Sequence, residues 1–467
     1  MKDKIRLLKY FKALVRYHFK ASRALKKEDE LVHNKVLKDL SNMIIKSTNK
    51  NEIEIINKEV LANNEGAILL SNHQDNLDIF LLIKALDKPI RFVAKKELFK
   101  IPLFQNYMKL SHSYLLDRED PRQGLKVLKN VIKDVNNDNK NVVIFPEGTR
   151  SKASLMSSFN TGLFNVIRKS KKPIIPVYIN NSFSNKNKIF IVFGNPIYPS
   201  SFNNLKPIEL KEKVYHKITL LKKNYIKDIK KYRILGLGDS ITFGELYNQT
   251  YDKGYYYRFI EQLNNEGMLE STYNFSIPGS RIKDVSKLID NNNYQEKVKD
   301  IVYSNIDEEF LSNLLQQDVT IENAIKNSDI LLFTCGANDI LEVVSNYKIK
   351  KEDQLKSFLE MKEKLRILFN KIRSINPNIK IIFFGQYFPY PHIKSLLKYN
   401  YIDILDKYLK ELDNNKDIFY ISLNAAVLEN KESFLLDRKN IHLSNEGYIY
   451  MNRLLSKLFQ EKIEHKL

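Results

Sequence analysis

The chain has 467 residues, 43% of them hydrophobic and 11% aromatic, which is too long for one hydrophobic core and predicts roughly two to three globular domains. No stretch approaches the roughly 18 consecutive apolar residues that span a bilayer, and we expect no secretory signal at the N-terminus. The one cysteine, Cys335, excludes an internal disulfide framework and favours a reducing compartment.

The formal net charge of +21 indicates an acidic partner. We do not expect nucleic acid, because the sequence has no zinc-ligand spacing, RNP-like strand or helix-turn-helix pattern. Anionic lipid headgroups, the phosphates of coenzyme A and an acidic carrier protein all fit the charge. A general bias toward lysine explains the same figure, so the charge alone does not identify the partner.

The first predicted element is a basic amphipathic helix within residues 1–39. Five basic residues recur at three- and four-residue steps: Lys9, Lys12, Arg16, Lys20 and Arg23. The neighbouring face is apolar and contains Leu7, Leu8, Phe11, Leu14, Val15 and Phe19. This pattern is typical of a helix that lies in the interface of an anionic membrane. The alternative is a helix that packs its apolar face on its own domain.

From residue 67 onward, apolar strands alternate with helices. The predicted strands are AILLSNH, RFVAK, SYLL, NVVIF, IIPVYI and KIFIVF, with helices after Asp78 and around 121–136. This alternation predicts an α/β layer fold with functional residues at strand ends. Because His73, the PEGTR turn and Asp117–Arg118 all follow such ends, we expect them to share one site.

His73 and Asp78 in the segment NHQDNLD form the first candidate catalytic pair. Imidazole is the side chain best suited to remove a hydroxyl proton near neutral pH. A carboxylate five residues later can hold the second ring nitrogen and stabilise the imidazolium. No Ser or Cys nucleophile is required, because the hydroxyl of an acceptor can attack a thioester directly.

The candidate phosphate ligands lie downstream of this pair. Arg118 and Arg150 offer charge-assisted contacts, and backbone amides near Gly148 add to them. Glu147 is an anion and does not bind phosphate, so we expect it to orient Arg150 or a substrate hydroxyl.

Residues 40–215 resemble the 1-acylglycerol-3-phosphate acyltransferases, the PlsC-like family. Its four blocks appear in order as NHQDNLD, KKELFKIPLF with SYLLDR, FPEGTR, and IIPVYI. The resemblance implies that His73 and Asp78 are catalytic. It implies a glycerol phosphate site made of Arg118, Glu147, Gly148, Thr149 and Arg150. It also implies acyl transfer on a membrane from acyl-CoA or acyl-carrier protein to lysophosphatidic acid, without a bound cofactor or metal.

Residues 206–233 are basic and carry apolar residues at helical spacing, which predicts an amphipathic helix that closes the first domain. We therefore predict an acyltransferase domain at 40–215, a helical linker at 216–231 and a second domain at 232–467.

The second half has its own strand and helix rhythm. Its predicted strands are RILGLG, TYNFSI, DILLFTCG, IKIIFFG and IFYISL, and a last helix follows His442. A polar insertion at 291–328 is predicted to be helical. Parallel strands joined by crossover helices predict a flavodoxin-like, doubly wound sheet with its site at the carboxyl ends of the strands.

Ser240, which follows Gly-Asp at a strand end, is a candidate nucleophile that His442 would deprotonate. The backbone amides of Ser240 and Gly279 and the side-chain amide of Asn338 are candidate donors to an oxyanion. The segments GDSITFG, NFSIPG and GAND, together with His442, resemble the SGNH (GDSL-type) hydrolases over residues 232–460. The resemblance implies an esterase, lipase, lysophospholipase or thioesterase.

The sequence departs from that family at one position. The family has Asp three residues before its His, and Lys439 stands there in this chain. Asp437 is one candidate to replace it, and a Ser–His dyad oriented by a backbone carbonyl is the other. We expect an active hydrolase; the alternative is a degenerate domain that serves as a lipid-binding or docking module.

These patterns together predict an α/β enzyme of two domains, an acyltransferase followed by an SGNH hydrolase. We expect the protein to be peripheral on the cytoplasmic membrane face, with an anionic membrane surface, lysophosphatidic acid and an acyl donor as partners.

Overall fold

The computed structural model describes residues 2–48, 50, 52–61, 64, 66–100, 102–117, 119–184, 186–246, 248, 254–299, 319–345, 351–387, 401–436 and 440–464. The chain forms two compact units, Met1–Ile229 with Ile463–Leu467, and Lys230–Lys462. Both are α/β structures, so the predicted fold class is confirmed. The finer domain boundaries stay a prediction.

The first unit contains a seven-stranded sheet. Its strands are β1 (Glu52–Ile56), β2 (Ala67–Ser71), β3 (Ile90–Lys95), β4 (Tyr114–Leu116), β5 (Asn141–Ile144), β6 (Ile174–Asn180) and β7 (Lys188–Phe193). They lie in the order β1-β7-β6-β2-β5-β3-β4, and all neighbours are parallel except β6 and β7. All six predicted strands are present. β1 was not predicted, because its five residues include two charged ones and none of them is buried.

Helices cover both faces of this sheet. They are α1 (Lys2–Ala24), α2 (Glu30–Ser47), α3 (Leu77–Ala85), α4 (Pro102–Leu110), α5 (Pro121–Asn137), α6 (Thr161–Ile167) and α7 (Pro207–Tyr225). One core cluster packs helices α1, α2, α3 and α4 on one face of the sheet, and a second packs α5, α6 and α7 on the other. Helix α7 crosses the predicted boundary at 215/216 and buries Leu210, Val214 and Ile218 in the first unit.

Helix α1 divides its apolar residues between two faces. Tyr10, Ala13 and Leu14 are buried in the first unit. The sequence pattern placed Leu14 on one apolar face with the residues named next, but these are exposed and Leu14 is not. The outer face exposes Leu8 at 54%, Phe11 at 51%, Val15 at 46% and Phe19 at 77%. One face of the helix therefore packs on the domain and the other is an uncovered apolar stripe. In the described part of the chain, no helix combines the length and apolarity needed to cross a membrane.

The second unit is a five-stranded, entirely parallel sheet. Its strands are β8 (Tyr232–Gly238), β9 (Leu269–Asn274), β10 (Ile330–Thr334), β11 (Lys380–Phe384) and β12 (Ile418–Ile421), in the order β12-β11-β10-β8-β9. All five predicted strands are present. Because the chain leaves β8 for β9 on one side and returns to β10 on the other, this strand marks the switch point of a doubly wound sheet, where ligand sites lie.

The helices of this unit follow the strands. They are α8 (Ser240–Phe243), α9 (Tyr255–Asn265), α10 (Ile282–Asn291), α11 (Tyr294–Lys299), α12 (Ile321–Asn327), α13 (Ala337–Ser345), α14 (Lys351–Ile375), α15 (Tyr401–Lys410), α16 (Asn424–Glu429), α17 (Lys431–Phe434) and α18 (Asn445–Leu458). The polar insertion is helical over its described part, while 300–318 lies outside the described residues.

Candidate active sites

His73 and Asp78 are in contact at the carboxyl end of β2. Nδ1 of His73 lies 2.9 Å from Oδ2 of Asp78, whose side chain is fully buried. The same oxygen accepts the backbone N–H groups of Gln74 and Asp75 at 2.7 and 2.9 Å. Because a carboxylate oxygen that already accepts two N–H groups takes a donor from the ring, Nδ1 carries the proton and Nε2 carries the lone pair. The two side chains therefore have the arrangement that the sequence predicted for a base and its orienting carboxylate.

The polar neighbours of His73 fix the loop that carries it. The side-chain amide of Asn72 forms hydrogen bonds with both the N–H and the carbonyl of Ile179 on β6. The buried Gln74 donates to the carbonyl of Ala153 at 3.0 Å. These contacts pin the residues on either side of His73 to neighbouring segments, so its ring projects from a rigid loop.

The FPEGTR turn packs directly against His73. The Phe145 ring stacks on the imidazole, with ring centroids 4.0 Å apart. The N–H of Ser151 donates to the carbonyl of His73 at 2.8 Å. Gly148 has φ +68°, a left-handed conformation that favours glycine, and nothing lies within 4 Å of where its Cβ would be. The turn thus presents an open backbone beside the base.

The predicted phosphate ligands occupy different environments. Thr149 and Arg150 are exposed at the turn. Glu147 is buried, and its two oxygens accept the backbone N–H groups of His73 at 2.7 Å and Ser157 at 2.8 Å. These bonds give it a role in positioning His73 that the sequence did not predict. Arg118 lies outside the described residues.

In the second unit, the Gly-Asp-Ser turn is fixed to the end of β10. Gly238 has φ +138°, and a Cβ there would lie 1.8 Å from the carbonyl oxygen of Thr334, so only glycine allows the two strands to approach. The Asp239 carboxylate accepts the N–H of Ile241 at 3.1 Å and the hydroxyl of Thr334 at 2.6 Å. Burial raises the pKa of Asp239 to about 6. Asp239 therefore shapes the turn that presents Ser240.

Ser240 and His442, the predicted nucleophile and base, are in contact. Oγ of Ser240 lies 2.8 Å from Nε2 of His442, across 202 positions of sequence. Nδ1 of His442 lies 2.6 Å from Oδ1 of Asn440, and the same oxygen accepts the backbone N–H of His442 at 2.9 Å. Because that backbone group is only a donor, the Asn440 atom facing the ring is the oxygen. Nδ1 therefore carries the proton, and Nε2 is free to accept from Ser240.

The Asn440 contact adds a partner of His442 that the sequence analysis did not name. The sequence suggested Asp437 or a backbone carbonyl as the partner of the ring, and the structure places a neutral side-chain amide there. Asp437 and Lys439 lie outside the described residues. The signal for Asn440 was its spacing, since a side chain two residues before the histidine can accept from the histidine's own N–H in an Asx turn.

The predicted oxyanion donors come from two loops that are joined by hydrogen bonds. Asn338 donates its amide to the carbonyl of Ser280 at 3.0 Å, directly after Gly279. Asp339 accepts the N–H of Ile282 at 3.0 Å and strengthens the same junction. The structure therefore brings Asn338 beside the loop that carries Gly279, as a shared site requires.

One further carboxylate lies at this site. Oε2 of Glu245 is 3.5 Å from Nε2 of His442, and its side chain is only 8% exposed. Burial lowers the pKa of His442 to about 4. Burial, followed by the nearby Asp239, raises the pKa of Glu245 to about 7. Sequence motifs do not mark this residue, because only the fold brings it to the ring.

A cavity is lined by Asp239 and Ile241, the residues on either side of Ser240. The rest of its lining combines the apolar side chains of Ala337, Ile340, Leu341, Leu423 and Ile441 with Thr334, Gly385, Gln386 and Tyr387. Ligand pockets commonly have such a mainly apolar lining with a few polar groups.

Comparison with known proteins gives two separate matches. The Acyltransferase family matches residues 52–180, and the GDSL-like Lipase/Acylhydrolase family matches residues 237–449. The chain is 33% identical over 133 residues to the 1-acyl-sn-glycerol-3-phosphate acyltransferase of Saccharomyces cerevisiae, covering 28% of this chain and 44% of that relative. It spans about half the length of the curated relatives that it matches first.

Two solved structures are similar to the two halves. The 1-acyl-sn-glycerophosphate acyltransferase PlsC of Thermotoga maritima is 21% identical, with a TM-score of 0.40, and covers 49% of this chain and 99% of its own. The lipase Lip_vut3 from a goat rumen metagenome is 20% identical, with a TM-score of 0.36, and covers 49% of this chain and 96% of its own. The protein thus carries an acyltransferase-family domain over residues 52–180 and a GDSL-like lipase/acylhydrolase-family domain over residues 237–449.

Proposed function

We propose that the first unit acylates lysophosphatidic acid to phosphatidic acid, with acyl-CoA or acyl-carrier protein as donor. The observation that carries this proposal is the His73–Asp78 pair beside the exposed Arg150 turn. Nε2 of His73 removes the proton from the acceptor hydroxyl, whose oxygen attacks the thioester carbon. The intermediate collapses, the carbon–sulfur bond breaks, and the thiol leaves with the proton. The chemistry requires no bound cofactor.

Arg150 would bind the acceptor phosphate in this proposal. Arg150 is exposed, the next residue, Ser151, is hydrogen-bonded to the carbonyl of His73, and the Gly148 turn offers open backbone. Thr149 adds a hydroxyl on the same turn. We keep Arg118 as a further phosphate ligand on the strength of the sequence pattern alone.

We propose that the second unit hydrolyses an acyl ester or thioester. The 2.8 Å contact between Ser240 and His442 favours this function over a docking module, since a binding domain has no need of an oriented nucleophile. The serine oxygen attacks the carbonyl carbon while His442 takes its proton. Gly279, Asn338 and the Ser240 amide would stabilise the oxyanion, and water then releases the acid.

We propose that α1 holds the protein on an anionic membrane surface. The uncovered stripe of Leu8, Phe11, Val15 and Phe19 would insert among the lipids, while Lys12 and Arg16, both exposed, would lie near the headgroups. Assignment to the cytoplasmic face rests on the single cysteine, which is expected in a reducing compartment.

Lipid analysis of single-site variants tests the proposed functions. Purified protein is incubated with lysophosphatidic acid and each donor, and separately with a chromogenic short-chain ester. We expect His73→Ala to lower only the rate of phosphatidic acid formation and Ser240→Ala to lower only the rate of ester hydrolysis, each roughly a hundredfold or more. His216→Ala, an exposed histidine of α7, is the matched control. Near-normal transfer by a folded His73→Ala protein contradicts the first assignment.

A further inference from the structure

Among the residues that the structure describes, no carboxylate contacts Nδ1 of His442, where a catalytic triad usually has one. When His442 takes the serine proton it becomes an imidazolium, and the partner that orients Nδ1 is the neutral amide of Asn440. An amide fixes the tautomer but contributes no full charge to stabilise the cation, which is the second task of a triad carboxylate. Burial also lowers the pKa of His442 to about 4, so the isolated ring is a weak base.

Glu245 is held rigidly beside the other ring nitrogen. Its N–H donates to the carbonyl of Ser240 at 2.9 Å, and its own carbonyl accepts the Tyr448 hydroxyl at 2.6 Å. The backbone is therefore tied both to α8, which begins at the nucleophile, and to α18. From this position Oε2 reaches within 3.5 Å of Nε2 of His442.

We propose that Glu245 supplies the negative charge of this site, acting on His442 from the Nε2 side, since the described partner of Nδ1 is the neutral Asn440. The inference rests on the proposed hydrolase activity of the second unit. Glu245 is a positioning and electrostatic residue in this scheme, because it acts through His442.

The placement favours the transition state over the resting state. At rest, Nε2 presents a lone pair to Ser240, and a carboxylate 3.5 Å away gains nothing from it. As the Oγ–H bond breaks and the proton moves to Nε2, the ring becomes cationic and attracts the carboxylate. The Oγ–carbon bond forms, the carbonyl electron pair moves to oxygen, and Nε2 then returns the proton to the leaving group. Glu245 exchanges no proton, and its interaction is strongest in the transition state.

The scheme requires Glu245 to be ionised. Among the described residues, the titratable groups that interact with it are His442, Asp239, whose charge opposes its ionisation, and Tyr448. Since burial and Asp239 raise the pKa of Glu245 to about 7, the hydrolysis rate should rise with pH through this range. His442 does not account for such a rise, because its pKa lies near 4.

The test compares charge-matched variants of the full-length protein. Ester hydrolysis is measured from pH 5.5 to 8.5 for wild type, Glu245→Gln, Asn440→Asp and the double variant. We expect Glu245→Gln to lower kcat roughly 10- to 100-fold, to leave KM within about twofold and to flatten the pH profile near 7. Asn440→Asp places a carboxylate at Nδ1. It should therefore raise kcat at least about tenfold in the Glu245→Gln background and change the kcat of wild type far less.

Three controls separate a charge effect from a structural one. Glu261→Gln changes an exposed carboxyl on α9 and should match wild type. A thermal melt of each variant shows whether the fold is intact. Asp437→Asn tests the carboxylate that the sequence analysis suggested.

Each outcome decides the inference. An unchanged kcat and pH profile in Glu245→Gln overturns it, as does a loss that Asn440→Asp fails to recover or a loss found only in Asp437→Asn. Failure of the proposed function has a different signature. A fluorophosphonate probe would then not label Ser240 in wild type, and no variant would turn over the ester.

Discussion

The carboxylate of Glu147 accepts the backbone N–H of His73 at 2.7 Å. Its second oxygen holds the N–H of Ser157 at 2.8 Å, so one buried side chain ties the base to the segment after the FPEGTR turn. The residue sits in a motif suited to substrate binding, yet these contacts are with the backbone. Its contribution to acyl transfer therefore includes placing His73.

Glu147→Gln should disturb both stability and acyl transfer. Glutamine keeps one acceptor oxygen and turns an NH₂ group toward the other buried N–H, which lowers the free energy of unfolding by about 1–3 kcal/mol. A displaced base should lower the transfer rate on the order of tenfold or more. Denaturant unfolding and a phosphatidic acid assay measure the two effects. Glu59→Gln, at an exposed carboxyl of the same unit, is the control. Wild-type values for both quantities would contradict this role.

Arg150→Ala should weaken binding of the acceptor. A hydrogen bond to a charged group contributes about 1.5–3 kcal/mol, so we expect KM for lysophosphatidic acid to rise roughly 10- to 100-fold. The KM of the acyl donor should not change. Steady-state kinetics with each substrate varied in turn give both values, and Lys169→Ala, an exposed cation on the same unit, is the control. A raised KM for the acyl donor with an unchanged KM for lysophosphatidic acid would refute the assignment.

Replacing the exposed phenylalanines of α1 should release the protein from membranes. Full burial of a phenylalanine side chain contributes about 1.5–3 kcal/mol, so Phe11→Ser with Phe19→Ser should weaken vesicle binding at least about tenfold. Truncation is a poorer test, because Tyr10 and Leu14 belong to the core of the first unit. Sedimentation with anionic vesicles measures binding, and Leu125→Ser, also an exposed apolar residue, is the control. Equal binding by all three proteins would place the membrane contact elsewhere.

Asn440→Ala should impair hydrolysis by the second unit. Without its oxygen, Nδ1 of His442 loses the acceptor at 2.6 Å that selects the reactive tautomer, and we expect kcat to fall roughly 10- to 100-fold. Asp437→Asn should change it little, and Lys439→Asp, which restores the family's usual carboxylate, should raise it. A chromogenic ester assay ranks the three. The opposite ranking, with Asp437→Asn the most impaired, would make Asp437 the orienting group.

Glu245→Gln should change how stability depends on pH. The pKa of Glu245 rises from its ordinary 4.5 to about 7 in the folded protein, so the folded state holds a proton that the unfolded state releases between these values. The contribution of Glu245 to the free energy of unfolding is fully present below pH 4.5 and is lost as the pH rises through 7. The upper limit of this loss is about 3 kcal/mol. The variant lacks this loss, so its stability relative to wild type should increase between pH 5 and pH 8 in calorimetric melts. A constant difference at both values would contradict the shift.

Local sequence patterns predict most of the secondary structure. Runs such as NVVIF and DILLFTCG are apolar because parallel strands are buried on both faces, which makes them easy to predict. Of the twelve strands in the described part of the chain, eleven were predicted. The exception, β1, has the sequence EIEII and no buried residue, so it lacks the continuous apolar run that marks a strand such as NVVIF. The contacts of His73 with Asp78 and of Ser240 with His442 were also expected from the sequence, because each residue lies in a motif whose chemistry requires that residue type.

What the sequence by itself determined is therefore the two α/β domains and the residues at the ends of their strands. Only the tertiary structure decided which atoms meet. It directed Glu147 to backbone amides, divided the apolar residues of α1 between core and surface, and brought Asn440 and Glu245 to the two nitrogens of His442. The physical reason is that a side chain's partner depends on the packing of segments far apart in the chain. Periodicity and spacing record only the neighbours along it.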